Sequence, residues 1–290
     1  MFLHVVGRRP DGYHLLQSAF ELIDWYDRIE IGLTPGPDVL RQGDLLGPAE
    51  EDLAVRAAKK LQQTPEWARQ GRPGARITVH KSIPAGAGLG GGSSDAATTL
   101  MGLNRLWGLG LDRRTLSEIG LSLGADVPFF LFGQAAFAQG VGEELEPYAA
   151  SPRVVVMAVP NVSVATAEIF RAPELTRNSK PLKITGFAQA ATSPVWDFGR
   201  NDLEPVTRSR FPEVDLVLNR LSQAAVSEEI APLAVRMSGS GGAVFCTAPN
   251  RAVAHRVLDR MKDFQKTPAG RVLAQVKICQ TLIAHPEQRI

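Results

Sequence analysis

The chain has 290 residues, a formal charge of +2 at pH 7, 44% apolar side chains and 21% charged ones. That length exceeds the usual single core, and the near-balanced charge leaves no basic footprint for nucleic acid and no like-charge tail. No uncharged apolar run nears the ~20 residues of a membrane span, and Arg8 and Arg9 come too early for a secretory leader. A cytoplasmic protein with no membrane or nucleic-acid partner is expected.

The two cysteines, Cys246 and Cys279, suit buried small hydrophobes in a reducing compartment better than a disulfide. The five histidines show no ligand spacing, so no metal site is expected from protein side chains.

In chain order, "FLHVVG" (2–7), the turn "RRPDGYH" (8–14), "LLQSAFELID" (15–24) and "DRIEIGL" (27–33) predict a β-rich start. Residues 34–50, with Pro35, Pro37 and Pro48, read as a surface connection, and 51–63 as a helix with Leu53, Ala57 and Leu61 on one face. "ARITVH" (75–80) is a strand entering the glycine-rich "KSIPAGAGLGGGSSDAA" (81–97). Ala96, Leu100, Leu103 and Trp107 then mark a helix, whose cap is expected at Ser93 or Ser94.

A second helix is read over 112–124, followed by "ADVPFFLFG" and a strand-like "AAFAQGVGEELEP" (135–147). From there the pattern restarts, which sets a candidate domain boundary near 148. "RVVVMAVP" (153–160) is a strand, 166–172 is helix-like, and a polar stretch to about 200 carries no functional reading. Helices at 213–225 and 251–262 alternate with strands at 235–239, 243–248 and 271–282, an α+β arrangement. No internal repeat or low-complexity tract is visible.

A strand, a glycine loop and a helix start form an anion site on simple grounds. The first N–H groups of the helix have no internal acceptor, the dipole is positive there, and missing Cβ atoms let phosphate oxygens reach the backbone. A Walker A loop is set aside, because Ser93 rather than lysine follows Gly92. Gly86, Gly88 and Gly91 formally satisfy the Rossmann fingerprint, but no acidic residue ends a strand about 20 positions on. A glycine-rich turn without function is the bland alternative.

The unbroken run from Pro84 to Ala97 resembles the nucleotide loop of the GHMP kinase superfamily. "GRRPDGYHLLQSAFELIDWYDRIEI" (7–31), "LGADVPFFLFGQAAFAQGVGEELEP" (123–147) and "VRMSGSGGAVF" (235–245) narrow the resemblance to its isoprenoid-precursor branch, and together these stretches span much of the chain. The resemblance implies a two-domain α+β fold, an N-terminal ATP-binding domain (1–148) like domain 2 of ribosomal protein S5 and a ferredoxin-like C-terminal domain (149–290). It implies transfer of the ATP γ-phosphate, with Mg²⁺, to the 2-hydroxyl of a cytidine-diphosphate-linked methylerythritol. It also implies a monomer or weak homodimer.

Residue by residue, the resemblance makes Pro84, Gly86, Gly88, Leu89, Gly90, Gly91, Gly92, Ser93 and Ser94 the triphosphate loop, with Lys81 nearby. Asp126 matches the catalytic aspartate; otherwise it caps a turn toward Pro128. An acceptor there orients the attacking hydroxyl and can receive its proton. Tyr13, His14 and Phe170 match the cytidine site. The alternatives are a hairpin turn for "DGYH" and a core position for Phe170. Ser238, Gly239, Ser240 and Gly241 match the third motif, which closes on loop and substrate; alone they read as a glycine hairpin.

The family pattern carries a Pro-x-Lys-x-Asn-Leu-like segment just before "FLHVVG", where Met1 stands here. Its lysine has no counterpart, and a chain extended by that segment is expected to turn over faster and be more stable. Two other readings stay open: a catalytically impaired binding homologue, and a GHMP kinase for another small alcohol.

Overall fold

The turn at residues 9–13 closes a hairpin through Arg9 N donating to Tyr13 O at 2.7 Å, with Gly12 at φ +91. It joins β1 (Leu3–Arg8) to β2 (His14–Phe20), antiparallel with a register shift between Val5 and Gly7. After the short β3 (Leu22–Ile23) comes β4 (Arg28–Thr34). Residues 34–50 are not a plain connection, because they contain β5 (Val39–Gly43), which pairs parallel with β6 (Gly74–His80). That strand was hidden because its ladder is supplied by a distant partner rather than by its own apolar alternation.

Between β5 and β6 lie α1 (Leu53–Leu61), whose N-cap Asp52 accepts from Ala54 N at 2.8 Å, and α2 (Pro65–Arg69), capped by Thr64. The glycine loop leads into α3 (Gly91–Leu106), which starts earlier than the expected serine cap. Gly90, at φ +68, is the cap, and Ser94 N donates to Gly90 O at 2.8 Å. A left-handed entrance suits glycine and not serine, so the two serines fall inside the first turn.

Next come α4 (Arg113–Leu121) and α5 (Val127–Phe132); "ADVPFFLFG" is thus a short helix with Pro128 near its start and Gly133 at φ +73 beyond its end. The chain continues through β7 (Ala136–Gln139), β8 (Glu144–Pro147), β9 (Val154–Pro160) and α6 (Thr166–Arg171). The polar stretch holds α7 (Ala188–Thr192), and α8 (Glu204–Arg210) follows it. The last elements are α9 (Pro212–Val226), β10 (Val235–Met237), β11 (Val244–Ala248), α10 (Arg251–Gln265) and β12 (Leu273–Leu282). This computed structural model describes residues 1–285.

The chain forms two units that are not contiguous in sequence. One comprises Met1–Asp24, Gly86–Leu89 and Gln134–Ala284; the other Trp25–Ala85, Gly90–Gly133 and His285. The boundary near 148 divides the chain by order, whereas these units alternate along the sequence, Gly86–Leu89 of the glycine loop grouping with the second half.

The first unit holds the sheet β1-β2-β7-β8 and the sheet β10-β11-β9-β12-β3, with all pairs antiparallel. Its larger core joins Val156, Ala158 and Val244 of the sheet to Leu203, Val217, Leu221 and Val257 of the helices. A second cluster is aromatic, with Phe2, Phe137, Phe187 and Trp196 buried together; two of these come from the polar stretch. The buried Arg153 is tied to Glu21 at 2.5 Å and lies over the Trp196 ring.

In the second unit the sheet runs β4-β6-β5, and Ile77 and Val79 pack with Ala57, Leu61, Leu100, Leu103 and Leu131. The helical spacing read from sequence is this buried stripe: Ala96, Leu100, Leu103 and Trp107 are all buried. Truncating Leu100, which has no exposure, to alanine costs about 2–5 kcal/mol. Among the described residues no helix is long and apolar enough to cross a membrane. Both cysteines are free and buried.

Candidate active site

Gly86, Gly88 and Gly90 take φ of +67, +69 and +68, so the backbone alternates through the left-handed region before α3. Each of these glycines also meets a neighbour in its own unit. A Cβ at Gly88 would lie 2.5 Å from Gly241 O, one at Gly86 would collide with Ser163 Oγ, and one at Gly90 would lie 2.8 Å from the Phe130 ring. Gly92 is exposed, and it leads into Ser93 and Ser94 in the first turn. The N–H groups that open α3 lack intrahelical acceptors and sit at the positive end of a 16-residue helix. Pro84 and Leu89 are half-buried parts of the same loop.

Asp126 stands at the N-cap position of α5, but its carboxylate makes no cap hydrogen bond, and no partner for it occurs among the described residues. The expectation of a simple turn cap therefore fails. Its loop lies beside the start of α3: a Cβ on Gly124 would be 3.8 Å from Ser93 Oγ. Crowding by protein atoms pushes the Asp126 carboxyl above the usual carboxylate range. The residue surface is nevertheless open to water, which favours the charged carboxylate and opposes that rise.

Lys81 is neither solvated nor free. Its Nζ bonds Asp27 Oδ2 at 2.5 Å and Asp95 Oδ2 at 2.8 Å. Burial works against the ammonium, yet the hydrogen bonds to Asp27 and Asp95 hold its pKa above the ordinary value. Burial pushes Asp95 up to about 6 despite Lys81, with the Asp27 charge adding to the rise. One ammonium thus serves two carboxylates, and Asp27 is the better served, since its Oδ1 also accepts from Ser82 N and from Ile83 N at 2.8 Å. Lys81 stays charged.

Tyr13 is 64% exposed beside the buried His14. The His14 and Phe170 rings lie 5.1 Å apart at 34°, so these two expected site residues are together in the first unit. His14 Nε2 accepts from Arg177 Nε at 3.0 Å. Burial, then the guanidinium groups of Arg177 and Arg8, hold the imidazole below its ordinary pKa. Sequence reading passed over Arg177, which stands in the polar stretch with no local motif around it.

The third glycine motif is anchored on the glycine loop: Ser238 Oγ donates to Gly88 O at 2.9 Å, and Ala243 N to Ala87 O at 2.8 Å. Asn201 Nδ2 donates to Met237 O and Gly239 O at 3.0 and 2.7 Å, and Thr207 Oγ1 to Ser240 O at 3.1 Å. Ser240 Oγ pairs with Thr166 Oγ1 at 2.7 Å. Asn201, Thr207 and Thr166 were all missed, because nothing near them in sequence signals these distant partners.

Models of the GHMP kinases N terminal domain and of the GHMP kinases C terminal domain match residues 52–134 and 188–267. A 4-diphosphocytidyl-2-C-methyl-D-erythritol kinase of Aromatoleum aromaticum is 49% identical over 259 residues, spanning 89% of this chain and 84% of that protein. Its counterpart from Paracidovorax citrulli is 44% identical over 290 residues, spanning 99% and 92%. Among solved structures, a 4-(cytidine 5'-diphospho)-2C-methyl-D-erythritol kinase matches with a TM-score of 0.74 at 34% identity, covering 97% of this chain and 95% of that one. A homoserine kinase from Cytophaga hutchinsonii, with a TM-score of 0.66 at 18% identity, shares the fold alone. Identity at that level across most of the length, on the two-domain GHMP architecture, places this chain in the GHMP kinases, within their 4-diphosphocytidyl-2-C-methyl-D-erythritol kinase family.

Proposed function

We propose that this chain transfers the γ-phosphoryl group of ATP to the 2-hydroxyl of 4-diphosphocytidyl-2-C-methyl-D-erythritol, yielding the 2-phosphate and ADP in the non-mevalonate route to isoprenoid precursors. Family membership supports the substrate class. One observation carries the chemistry: the unpartnered Asp126 carboxylate belongs to a loop that packs beside Ser93 at the open start of α3.

The N–H groups of Gly91, Gly92 and Ser93 bind phosphate oxygens at the start of α3. Asp126 accepts a hydrogen bond from the attacking hydroxyl and takes its proton as the new O–P bond forms; the bond to the β-phosphate oxygen breaks and ADP leaves. Tyr13 and Phe170 offer aromatic faces to cytosine, about 1–3 kcal/mol per stacked base, and His14 offers a polar edge. Lys81 acts through Asp95, fastening the first turns of α3.

The residues present also fit Mg²⁺. The hydroxyls of Ser93 and Ser94, in the first turn of α3, would help hold the ion beside the nucleotide's phosphates. When bound, the ion neutralises phosphate charge. We place the reaction in the cytoplasm, where ATP is supplied.

The test is ADP release with and without the diphosphocytidyl substrate, with the product identified by mass. Asp126→Asn should lower kcat by about 10²–10⁴ while ATP binding persists. ADP release indifferent to that substrate, or equal with homoserine or mevalonate, overturns the reading.

A further inference from the structure

We infer that Arg177 is a positioning residue of the pyrimidine site, locking His14 in the Nδ1–H tautomer and pinning its ring against Phe170. The inference rests on the proposed function for its substrate, a cytidine diphosphate derivative, but the geometry behind it is independent of that reading.

Arg177 spends its whole donor set on one small region. Nε donates to His14 Nε2 at 3.0 Å; Nη1 donates to Leu175 O at 3.0 Å and Pro173 O at 3.4 Å; Nη2 donates to Ala172 O at 2.7 Å and Phe170 O at 3.1 Å. Phe170 and Ala172 lie at the C-terminal end of α6, where carbonyls have lost their helical donors, so a fixed cation there meets orphan acceptors and the negative end of the dipole. The planar fork thereby joins two segments, the one carrying Phe170 and the one carrying His14.

Guanidinium has donors and no acceptor. His14 Nε2 must therefore be the unprotonated nitrogen, and the single imidazole proton resides on Nδ1. The free edge of the ring is then a donor only, suited to an acceptor on the base such as O2 or N3 of cytosine. A second proton on the ring would set imidazolium against Arg177, with Arg8 the other charged group facing it; both are cations and both oppose that protonation. The lone donor edge thus persists below the pH at which an ordinary histidine charges.

The experiment reads His14 by ¹⁵N NMR in the unliganded protein, alongside calorimetric binding of cytidine diphosphate and steady-state kinetics. Wild type should show His14 with Nδ1 protonated and Nε2 bare. In Arg177→Met, the tautomer equilibrium should move toward Nε2–H, the His14 pKa should rise, and cytidine diphosphate should bind about tenfold more weakly, the equivalent of one hydrogen bond to the base. KM for the cytidyl substrate should rise by the same factor with kcat and the ATP KM within twofold, a split that general loosening of the fold would not give.

An Nε2–H tautomer in wild type overturns the inference even if the variant fails to fold. So does unchanged cytidine diphosphate affinity in a folded Arg177→Met. If no kinase activity on the diphosphocytidyl substrate is found, the functional reading falls, and the tautomer and binding results still decide the role of Arg177.

Discussion

Gly88→Ala tests whether the glycine loop is shaped by protein neighbours. A Cβ there would lie 2.5 Å from Gly241 O and 2.6 Å from Ser238 O, both backbone atoms that cannot swing away. Carbon–oxygen contacts need roughly 3.3 Å, so the two loops must part by about 0.8 Å. Such a shift stretches the bonds from Ser238 Oγ to Gly88 O and from Ala243 N to Ala87 O, now 2.9 and 2.8 Å, past useful length. The left-handed backbone adds about 1–2 kcal/mol and each lost hydrogen bond about 0.5–1.5, for a total of about 2–5 kcal/mol. In a chain of this size that lowers Tm by roughly 5–15 °C. Scanning calorimetry and ATP titration read the outcome, the ATP KM rising at least about tenfold as the N–H groups leave register. Ser238→Ala, which removes one hydrogen bond and adds no clash, should cost only about 1 kcal/mol. A Gly88→Ala protein melting within about 2 °C of wild type, with an unchanged ATP KM, would refute the close-approach argument.

Because Asp126 must be ionised to accept a proton and its pKa is raised by crowding, kcat should fall on the acid side at a higher pH than an ordinary carboxylate would give; a flat profile across that range contradicts its role. Asp95 has a folded pKa of about 6 against 3.8, so its stabilising contribution is complete below 3.8 and is lost as pH rises through about 6. Asp95→Asn cannot ionise, so it should exceed wild type in stability by on the order of 1–3 kcal/mol above pH 6 and match it near pH 4. A Tm difference that does not vary with pH sinks that assignment. Arg153→Met should cost about 3–5 kcal/mol in urea unfolding, because it removes the guanidinium paired with the buried Glu21 and leaves the Tyr148 hydroxyl, 2.9 Å away, as its remaining hydrogen-bond donor among the described residues. Adding Glu21→Gln should recover part of the loss.

What the sequence disclosed follows the range of the interaction concerned. The α3 stripe from Ala96 to Trp107 and the apolar run of β9 were legible because each is fixed by its own periodicity. β5 was not, since its ladder comes from β6 some 36 residues on in register, Val39 opposite Ala75. The same holds at the site. Glycine spacing announced the loop, but Arg177 reaches His14 across 163 residues and Asn201 reaches Gly239 across 38, and no local pattern encodes either. The cap was misassigned for a different reason. Serine is a good cap in general, but the backbone entering α3 is left-handed, and glycine takes that position instead.

The density of glycines in this loop invites the view that side chains are absent to make room for phosphate. The structure supplies another cause for nearly every one. Gly86 is confronted by Ser163, Gly88 by the backbone of Ser238 and Gly241, Gly90 by the Phe130 ring, Gly91 by Ile83 at 3.1 Å and Gly92 by Leu53 at 3.3 Å. Three of the five are left-handed as well. Protein packing therefore demands glycine at Gly86, Gly88 and Gly90, whereas beside Gly91 and Gly92 a side-chain tip need give only a few tenths of an ångström; the conformation so imposed is held before any ligand arrives. That is the condition under which backbone dipoles act on a transferring phosphoryl group without reorganising. It follows that substitutions far from the phosphates, at Ser163 or Phe130, should perturb nucleotide binding through the loop's shape, whereas changes at the exposed Gly92 act on the anion directly.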